Sequence, residues 1–294
     1  KSALIINNPR GTAPGMIWQP LKGFTIMTFP GVPEELKEMW RESGRDHIIN
    51  NFSEGKIFFS NTLKFAGIGE SSISEKIESL LQLSNPTVAT YANIGDVKIR
   101  ITAKACNKKE AKQIIKPIKE KIKKKFNSYI LGEDEDTLAS VLVSESNNRK
   151  QTLAFAESCT GGLLSSSITG IPGSSKVFKG SVIAYRNEIK NSILNVPNNL
   201  LREYGAVSEE VAASMVIGLK TILKSDWGIA ISGIAGPGGG SDEKPVGLVY
   251  ISIISPNNEI TNIKKLFNST RKRLDIQRLS VNECLNSLRL ILLS

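Results

Sequence analysis

A short apolar run that passes directly into a hydroxyl-rich corner is the feature that most constrains this chain. Residues 152–156 (Thr-Leu-Ala-Phe-Ala) have the length and composition of a buried strand, and residues 163–169 have the pattern of a helix. Residues 157–162 (Glu-Ser-Cys-Thr-Gly-Gly) join the two. Glycines let a backbone approach a ligand closely, and the unpaired N–H groups at a helix start suit an oxyanion or a phosphate. The simpler alternative is that Ser and Thr only cap the helix.

The pattern around this corner predicts an α/β domain over residues 137–294. Short apolar strands alternate there with amphipathic helices, which is typical of a mixed α/β sandwich. Helices are predicted at 138–147, 161–169, 188–194, 198–204, 208–223 and 270–293. Strands are predicted at 152–156, within 177–185, and at 228–232, 246–254 and 260–267. The last helix is apolar and looks exposed, so we expect a homodimer.

Residues 59–136 predict a smaller middle domain. Their order β-α-β-β-α is that of a split βαβ module, with a turn at 93–96, and the long helix from Lys108 should kink or restart at Pro117. Segment 59–132 carries 14 Lys and Arg against 6 Asp and Glu. Because the lysines fall on the solvent side of this helix with few aromatic residues beside them, we interpret this face as solvated surface rather than a nucleic-acid site.

Residues 1–58 predict part of another α/β domain. Strands are predicted at 2–7 and 23–29, glycine- and proline-rich loops at 8–15 and 29–35, and a helix from about Pro33. Such loops after strand ends are a usual place for ligands in α/β sheets, and they are equally well explained as plain turns. The first residue is Lys, in what reads as a strand already under way, so we expect this domain to be incomplete at its N-terminus.

Composition excludes several classes of protein. No apolar run is long enough to span a membrane, and no signal peptide precedes the first strand. The three cysteines lie far apart and form no CxxC pair, which favours a reducing compartment. We therefore expect a cytoplasmic protein.

The distribution of histidine decides which base could serve a serine nucleophile. The only histidine is His47, so a Ser-His-Asp triad is excluded in the last domain. A lysine with a lowered pKa, a tyrosine, or a carboxylate such as Glu157 remains, and Tyr185 and Lys190 lie in the next polar motif. Backbone N–H groups at 160–162 would stabilise an oxyanion. Such a site permits acyl transfer or amide hydrolysis.

A glycine-rich loop at 233–240 follows the strand predicted at 228–232. It lacks the Gly-Lys-Ser/Thr ending of a P-loop and the GxGxxG-to-helix context of a dinucleotide fold. What remains is a nest of backbone N–H groups suited to an anion. A second small polar loop lies at 171–176.

Six motifs of the last domain together resemble the CinA family, the competence/damage-inducible proteins. They are Glu-Ser-Cys-Thr-Gly-Gly at 157–162, Pro-Gly-Ser-Ser at 172–175, Ala-Tyr-x-Asn-Glu-x-Lys at 184–190, Gly-Ala-Val-Ser-Glu at 205–209, Ser-Gly-Ile-Ala-Gly-Pro at 232–237 and Glu-Lys-Pro-Val-Gly at 243–247. They match in order and spacing. Stretches at 8–15, 29–34, 63–69 and 85–89 are similar to earlier parts of the family, so the resemblance covers nearly all of the chain.

The resemblance implies a nicotinamide-nucleotide amidohydrolase in the last domain. This activity converts nicotinamide mononucleotide and water to nicotinate mononucleotide and ammonia in pyridine-nucleotide recycling, without a cofactor or metal. It places the nucleophile on Ser158, and we assign Tyr185 and Lys190 to activating that serine and moving protons. Substrate contacts are expected at Thr160, Gly161, Gly162, Ser174, Ser175, Asn187, Gly233, Ile234, Ala235, Gly236 and Gly238.

Two other functions stay open from the sequence. The family's N-terminal domain resembles molybdopterin-binding proteins and is associated with metal-dependent ADP-ribose pyrophosphatase activity. Residues 1–58 would be the last part of such a domain, with a divalent metal as a possible cofactor. The basic middle domain leaves open a non-catalytic adaptor in competence or DNA repair. For the amidase the expected partner is a small nucleotide, with neither a membrane nor nucleic acid.

Overall fold

The computed structural model describes residues 3–93 and 95–293 of the chain. Two compact units can be distinguished. One comprises the residues up to Ser60 together with Ser84–Pro86 and Thr102–Pro117, and the other comprises Asn61–Leu83, Thr87–Ile101 and the residues from Ile118 onward. The domain boundaries at 59 and 137 stay predictions.

Strands and helices alternate along most of the chain. The strands are β1 (Leu4–Ile6), β2 (Gly15–Leu21), β3 (Phe24–Thr28), β4 (Ile57–Phe65), β5 (Thr87–Asn93), β6 (Asp96–Ala105), β7 (Ile130–Glu133), β8 (Leu153–Glu157), β9 (Phe178–Ile183), β10 (Trp227–Gly233), β11 (Leu248–Ile254) and β12 (Ile260–Leu266). The α-helices are α1 (Pro33–Met39), α2 (Arg45–Phe52), α3 (Glu70–Lys76), α4 (Glu78–Leu81), α5 (Lys108–Phe126), α6 (Leu138–Arg149), α7 (Leu163–Thr169), α8 (Asn187–Ser192), α9 (Asn198–Glu203), α10 (Glu209–Leu223) and α11 (Arg273–Leu293). The predicted α/β class is confirmed.

The first sheet is a three-stranded antiparallel meander in the order β1-β2-β3. Strand β2 was not predicted, because its glycine start and its internal Pro20 read as loop. Successive side chains of β2 nevertheless point to opposite faces of the sheet. Met16 and Trp18 are exposed, and Ile17 lies in a small core with Ile6 and Met39.

The second sheet has the order β5-β6-β4-β7. The predicted β-α-β-β-α order is followed by a further short strand, β7, which was not predicted. A kink or a restart was expected at Pro117. The restart does not occur, because α5 continues as one helix from Lys108 to Phe126, and the kink stays a prediction. Pro117 and Gln113 are both exposed, so water can pair the carbonyl that the proline leaves without a donor. Of the predicted turn at 93–96, residue 94 lies outside the described residues.

The third sheet carries the corner and has the order β12-β11-β10-β8-β9. Strand β8 lies parallel to both β9 and β10, whereas β10, β11 and β12 pair antiparallel. Along β8, Leu153 and Phe155 join one core while Ala154 and Ala156 join another. Parallel strands buried on both faces are expected to be almost wholly apolar, as β8 is.

Helices cover both faces of this sheet. Helix α10 packs on the small-residue side, against β8, β10 and β11. Helices α6, α7 and α11 pack with one another, and their apolar residues lie in the core on the other side. The result is the predicted mixed α/β sandwich, and the structure shows that it has three layers. No helix among the described residues is both long and apolar enough to cross a lipid bilayer.

Helix α11 corrects one step of the sequence interpretation. Its apolar residues looked exposed and were the reason to expect a homodimer. In the structure, Ile276, Cys284 and Leu288 are fully buried in the core that α11 shares with α6 and the sheet. Leu274, Leu290 and Leu293 of the same helix are exposed, so burial within one chain explains only part of the apolar character of α11, and the homodimer remains a prediction.

Gly218 of α10 offers a test of the packing on the face of the sheet that carries Ala154 and Ala156. A Cβ atom at Gly218 would lie 1.8 Å from the backbone oxygen of Leu194. We expect Gly218→Ala to destabilise the fold by about 1–3 kcal/mol, because neither backbone can move freely in this core. The measurement is the free energy of unfolding in urea.

The neighbouring Ile217 is half exposed and provides the control. Ile217→Ala should change the free energy of unfolding by only about 0.5 kcal/mol. In an open helix, Gly→Ala stabilises. An increase in stability for Gly218→Ala would therefore contradict the close packing described here.

Candidate active site

The carboxyl ends of three parallel strands bring the predicted chemistry together. At the end of β8, Glu157 pairs with Ile183 of β9 and with Ile231 of β10. The loops that follow these strands begin at one edge of the sheet, which is where α/β sheets bind ligands. They carry Ser158 after β8, Tyr185 after β9 and the glycine-rich loop after β10.

Ser158 and Lys190 form the centre of the site. The Nζ atom of Lys190, on α8, lies 3.1 Å from Oγ of Ser158 and is hydrogen-bonded to it. The N–H of Ser158 donates to the carbonyl of Ile231 at 3.0 Å, which ties the nucleophile's backbone to the adjacent strand. The same Nζ also donates to the carbonyl oxygens of Ala184 at 2.8 Å and Tyr185 at 3.4 Å.

The environment of Lys190 favours its neutral form. The side chain is 1% exposed, and no ion pair joins it to a carboxylate within the part of the chain that the structure describes. Burial lowers the pKa of Lys190, because desolvation penalises the ammonium form. A neutral amine 3.1 Å from a hydroxyl can accept its proton.

Glu157, another base that the sequence left open, has both side-chain oxygens engaged by the start of α7. Its buried carboxylate accepts from the N–H groups of Gly162 at 3.0 Å, Leu164 at 3.1 Å and Ser165 at 2.8 Å, and from the Ser165 hydroxyl. These are the donors that the start of α7 would otherwise leave unpaired. The charge also suits the positive end of the helix dipole. Glu157 therefore fixes the corner in place, with its oxygens already engaged.

The same contacts correct the predicted oxyanion donors. The N–H of Gly162 is bound to Glu157, and the N–H of Gly161 donates to the carbonyl of Ser158 at 3.2 Å. Neither amide is free for an oxyanion. Among the hydrogen bonds of the described residues, none uses the N–H of Cys159 or Thr160. Two candidate donors thus lie directly after the nucleophile, the position of one donor in α/β-hydrolase sites.

The side-chain hydroxyl of Thr160 is unpaired among the described residues. Its residue is 3% exposed, and its buried Oγ1 has no hydrogen-bond partner among the described residues. Buried hydroxyls are nearly always paired, so an unpaired one beside a nucleophile indicates a place for a ligand atom. Contact of Thr160 with a substrate stays a prediction.

The side chain of Tyr185 is exposed and bonds to the first residue of α11. Its side chain is 57% exposed, and its hydroxyl accepts from Nη2 of Arg273 at 2.9 Å. Within the described chain, no hydrogen bond joins this hydroxyl to Ser158 or Lys190. Tyr185 contacts Lys190 through its backbone carbonyl, which accepts a hydrogen bond from Nζ. The proton-transfer role of the phenol remains a prediction.

Arg273 and Gln277 were missed by sequence reasoning. Arg273, the first residue of α11, also donates from Nη1 to the carbonyl of Gly236 at 2.7 Å. Gln277, one turn later, donates from Nε2 to the carbonyl of Cys159 at 2.7 Å. Nothing local distinguishes Arg273 from Arg271 and Lys272 beside it, because only the tertiary fold brings α11 to this edge.

Two predicted substrate residues lie elsewhere. Ser174 and Ser175 precede β9, whose first residue, Phe178, pairs with Leu153 at the start of β8. Since Ser158 follows the other end of β8, five residues at about 3.3 Å each separate the two edges, roughly 16 Å. The structure therefore does not bring Ser174 and Ser175 to the nucleophile.

The remaining predicted residues lie at the correct edge. Asn187 is exposed at the start of α8. The glycine-rich loop is less free than the sequence suggested, since the backbone of Ile234 is paired with Leu248 and Gly247. Gly233 is the last residue of β10, and Ala235, Gly236 and Gly238 follow that strand. Gly238 has open space where a Cβ would lie. Contact of these residues with a substrate stays a prediction.

Metal binding has no counterpart among the described residues. In residues 3–93 and 95–293, no group of three or more His, Cys, Asp and Glu side chains could hold a metal ion. The divalent ion considered for the N-terminal segment stays a prediction.

Cys159, the third residue of the corner, gives a prediction about thiol reactivity. Cys159 is buried, and burial raises the pKa of its thiol to about 12, whereas Cys106 is exposed. Near pH 8 we expect one fast-reacting thiol per folded chain and all three in denaturant, because the thiolate is the reactive form. A chromogenic disulfide reagent counts the reactive thiols. Cys106→Ser should remove the fast phase, and rapid labelling of Cys159, located by mass spectrometry, would contradict the burial described.

Comparison with known proteins places the chain in a family. Residues 135–292 match the CinA C-terminal domain, and residues 60–132 match the damage-inducible protein CinA KH domain. A CinA-like protein of Prochlorococcus marinus subsp. pastoris is 68% identical over the whole chain, which spans 68% of that relative. One from Gloeothece citriformis is 47% identical over 97% of the chain and 68% of the relative.

Solved structures agree over the last domain. The competence/damage inducible protein CihA of Agrobacterium tumefaciens has a TM-score of 0.52 and 34% identity, covering 53% of this chain and 94% of that one. A CinA superfamily protein of Klebsiella pneumoniae has a TM-score of 0.51 and 29% identity, covering 53% and 96%. With the corner motif, the paired Ser158 and Lys190 and these matches together, the chain belongs to the CinA family, as the sequence resemblance indicated.

Proposed function

We propose that the last domain hydrolyses the carboxamide of nicotinamide mononucleotide to nicotinate mononucleotide and ammonia. The observation that carries this proposal is the 3.1 Å hydrogen bond between the buried Lys190 amine and the Ser158 hydroxyl. A serine with a neutral amine as its base is suited to acyl transfer from an amide. The choice of nucleotide rests on the family resemblance of the motifs around these two residues.

The first half of the reaction forms an acyl-enzyme. As Oγ of Ser158 attacks the carboxamide carbon, its proton passes to Nζ of Lys190. The carbonyl oxygen gains negative charge, and the N–H groups of Cys159 and Thr160 are the unpaired donors nearest in sequence. Each such donor is worth about 3 kcal/mol in a preorganised site. When the C–N bond breaks, the lysine proton passes to the departing amide nitrogen, and ammonia leaves.

The second half restores the enzyme. A water molecule gives a proton to Lys190 as its oxygen attacks the ester carbon. The ester C–O bond then breaks, and the lysine proton returns to Oγ of Ser158. The product is the nicotinate carboxylate. The same amine thus serves as base and acid twice, which requires a pKa near the working pH, and burial shifts the pKa of Lys190 in that direction.

Arg273 is our candidate for the 5′-phosphate. Its guanidinium lies at the mouth of the site, where it holds the hydroxyl of Tyr185 and the carbonyl of Gly236. A guanidinium has five N–H donors, so others stay available after these two bonds. Arginine suits phosphate geometry because it can donate two parallel hydrogen bonds. Asn187 and Gly238 lie at the same edge and are proposed as further contacts.

The test is ammonia release from nicotinamide mononucleotide, nicotinamide riboside and nicotinamide, without added metal. We expect kcat/KM to be highest for the mononucleotide. Ser158→Ala should lower its turnover by at least about 10⁴-fold, because the acyl-enzyme cannot form. Lys190→Met should lower it by about 10²–10⁴-fold, the contribution of a general base.

Ser175→Ala is the matched control. Ser175 is exposed in a polar loop, whereas Ser158 is buried, and Ser175 lies at the opposite edge of the sheet, so its removal should leave turnover unchanged. Undiminished ammonia release by Ser158→Ala would overturn the proposed nucleophile. Equal turnover of all three substrates would overturn the assignment of a phosphate site.

A further inference from the structure

The first two turns of α11 reach the loops that follow all three parallel strands. Arg273 contacts Tyr185 after β9 and Gly236 after β10, and Gln277 contacts Cys159 after β8. Arg273 and Gln277 are four residues apart, so they lie on one face of the helix. A single helix face therefore joins the three loops that carry the candidate site.

The contact made by Gln277 fixes the direction of one particular amide. The peptide bond between Cys159 and Thr160 is trans, since the cis bonds of the described residues are at Asn85-Pro86 and Gly236-Pro237. In a trans peptide, the carbonyl and the N–H point in opposite directions within one plane. Because Gln277 holds the carbonyl of Cys159, the N–H of Thr160 must point away from Gln277.

This peptide has little else to hold it. Among the described residues, the carbonyl of Cys159 accepts its hydrogen bond from Gln277, and no hydrogen bond uses the N–H of Thr160. The neighbouring amides of Gly161 and Gly162 are already bound to Ser158 and Glu157. A rotation of the 159–160 peptide would exchange its N–H for a carbonyl, whose partial negative charge would repel an oxyanion.

We propose that Gln277 is a positioning residue that sets the Thr160 amide as an oxyanion donor. This inference rests on the proposed function of the Ser158 site and extends it to a residue of the last helix. Gln277 touches neither the substrate nor the reacting atoms. It acts through the Cys159 carbonyl, and its effect appears only when negative charge develops on the substrate oxygen.

Two substitutions remove the donor while keeping the length of the side chain. Gln277→Met has no hydrogen-bond donor, and Gln277→Glu places a carboxylate against the carbonyl at neutral pH. For both variants we expect kcat for nicotinamide mononucleotide to fall by about 10–100-fold, part of the loss seen when a whole oxyanion donor is removed. KM should stay within about twofold, because the ground-state amide carries little charge.

The matched control is Arg278→Met. Arg278 is the next residue of α11 and is exposed. It should show wild-type kcat and KM. Thermal unfolding of all variants separates a positioning role from loss of the fold, since positioning predicts a loss of kcat at an unchanged unfolding temperature.

A boronic acid gives a readout that does not need turnover. Pyridine-3-boronic acid forms a B–O bond with Oγ of Ser158, whose proton passes to Lys190, and the boron becomes a tetrahedral anion like the reaction intermediate. Boron-11 NMR measures this adduct directly. Its affinity should weaken in Gln277→Met by about the same factor as kcat, while the affinity for nicotinate mononucleotide stays unchanged.

The outcomes separate the two proposals. If the wild type forms the boron adduct and Gln277→Met weakens it, the positioning role stands even when nicotinamide mononucleotide is not turned over, and only the proposed substrate fails. Wild-type kcat and wild-type boronate affinity in both Gln277 variants would overturn the positioning role. An equal loss of boronate and product binding with a lowered unfolding temperature would also overturn it, since that pattern is purely structural.

Discussion

The hydrogen bond between Lys190 and Ser158 is the interaction on which the rest of the site depends. An amine buried at 1% exposure without a carboxylate partner among the described residues is costly to charge. In the proposed mechanism, this burial lets a residue that is normally a solvated cation act as a base. Two backbone carbonyls, of Ala184 and Tyr185, hold the amine in place without adding a formal charge that would stabilise the ammonium form as a carboxylate does.

The sandwich supplies the conditions for this interaction. Parallel strands β8, β9 and β10 end together, so three loops start at one edge. Helix α10 closes one face of the sheet, while α6, α7 and α11 close the other, and the site lies where these layers meet the strand ends. Glu157 anchors the corner to the start of α7, and α11 links the three loops from outside. The burial of Lys190, the alignment of the three loops and the anchoring of the corner by Glu157 thus come from different layers of the same domain.

Much of this was predictable from local patterns. Strand β8 and the corner were predicted because apolar runs and glycines are local features of the sequence. The lack of histidine in the last domain left a lysine, a tyrosine or a carboxylate as the base, and the choice of Lys190 with Tyr185 came from the family resemblance. The contributions of Arg273 and Gln277 were not, since tertiary packing alone brings a helix more than a hundred residues away to Cys159. Ser174 and Ser175 were misplaced for the same reason. A polar loop shows that ligands could bind there, but only the strand pairing shows at which edge it lies.

The most direct test of this account is the titration of the Lys190 amine itself. Carbon-13 NMR of labelled lysine Cε, assigned with the Lys190→Arg variant, follows each amine as the pH is raised. The account predicts that Lys190 loses its proton at a pH clearly below that of exposed lysines, whose pKa is about 10.4. If Lys190 titrates together with the exposed lysines, it is a cation at neutral pH, and Ser158 has no neutral amine to act as its base.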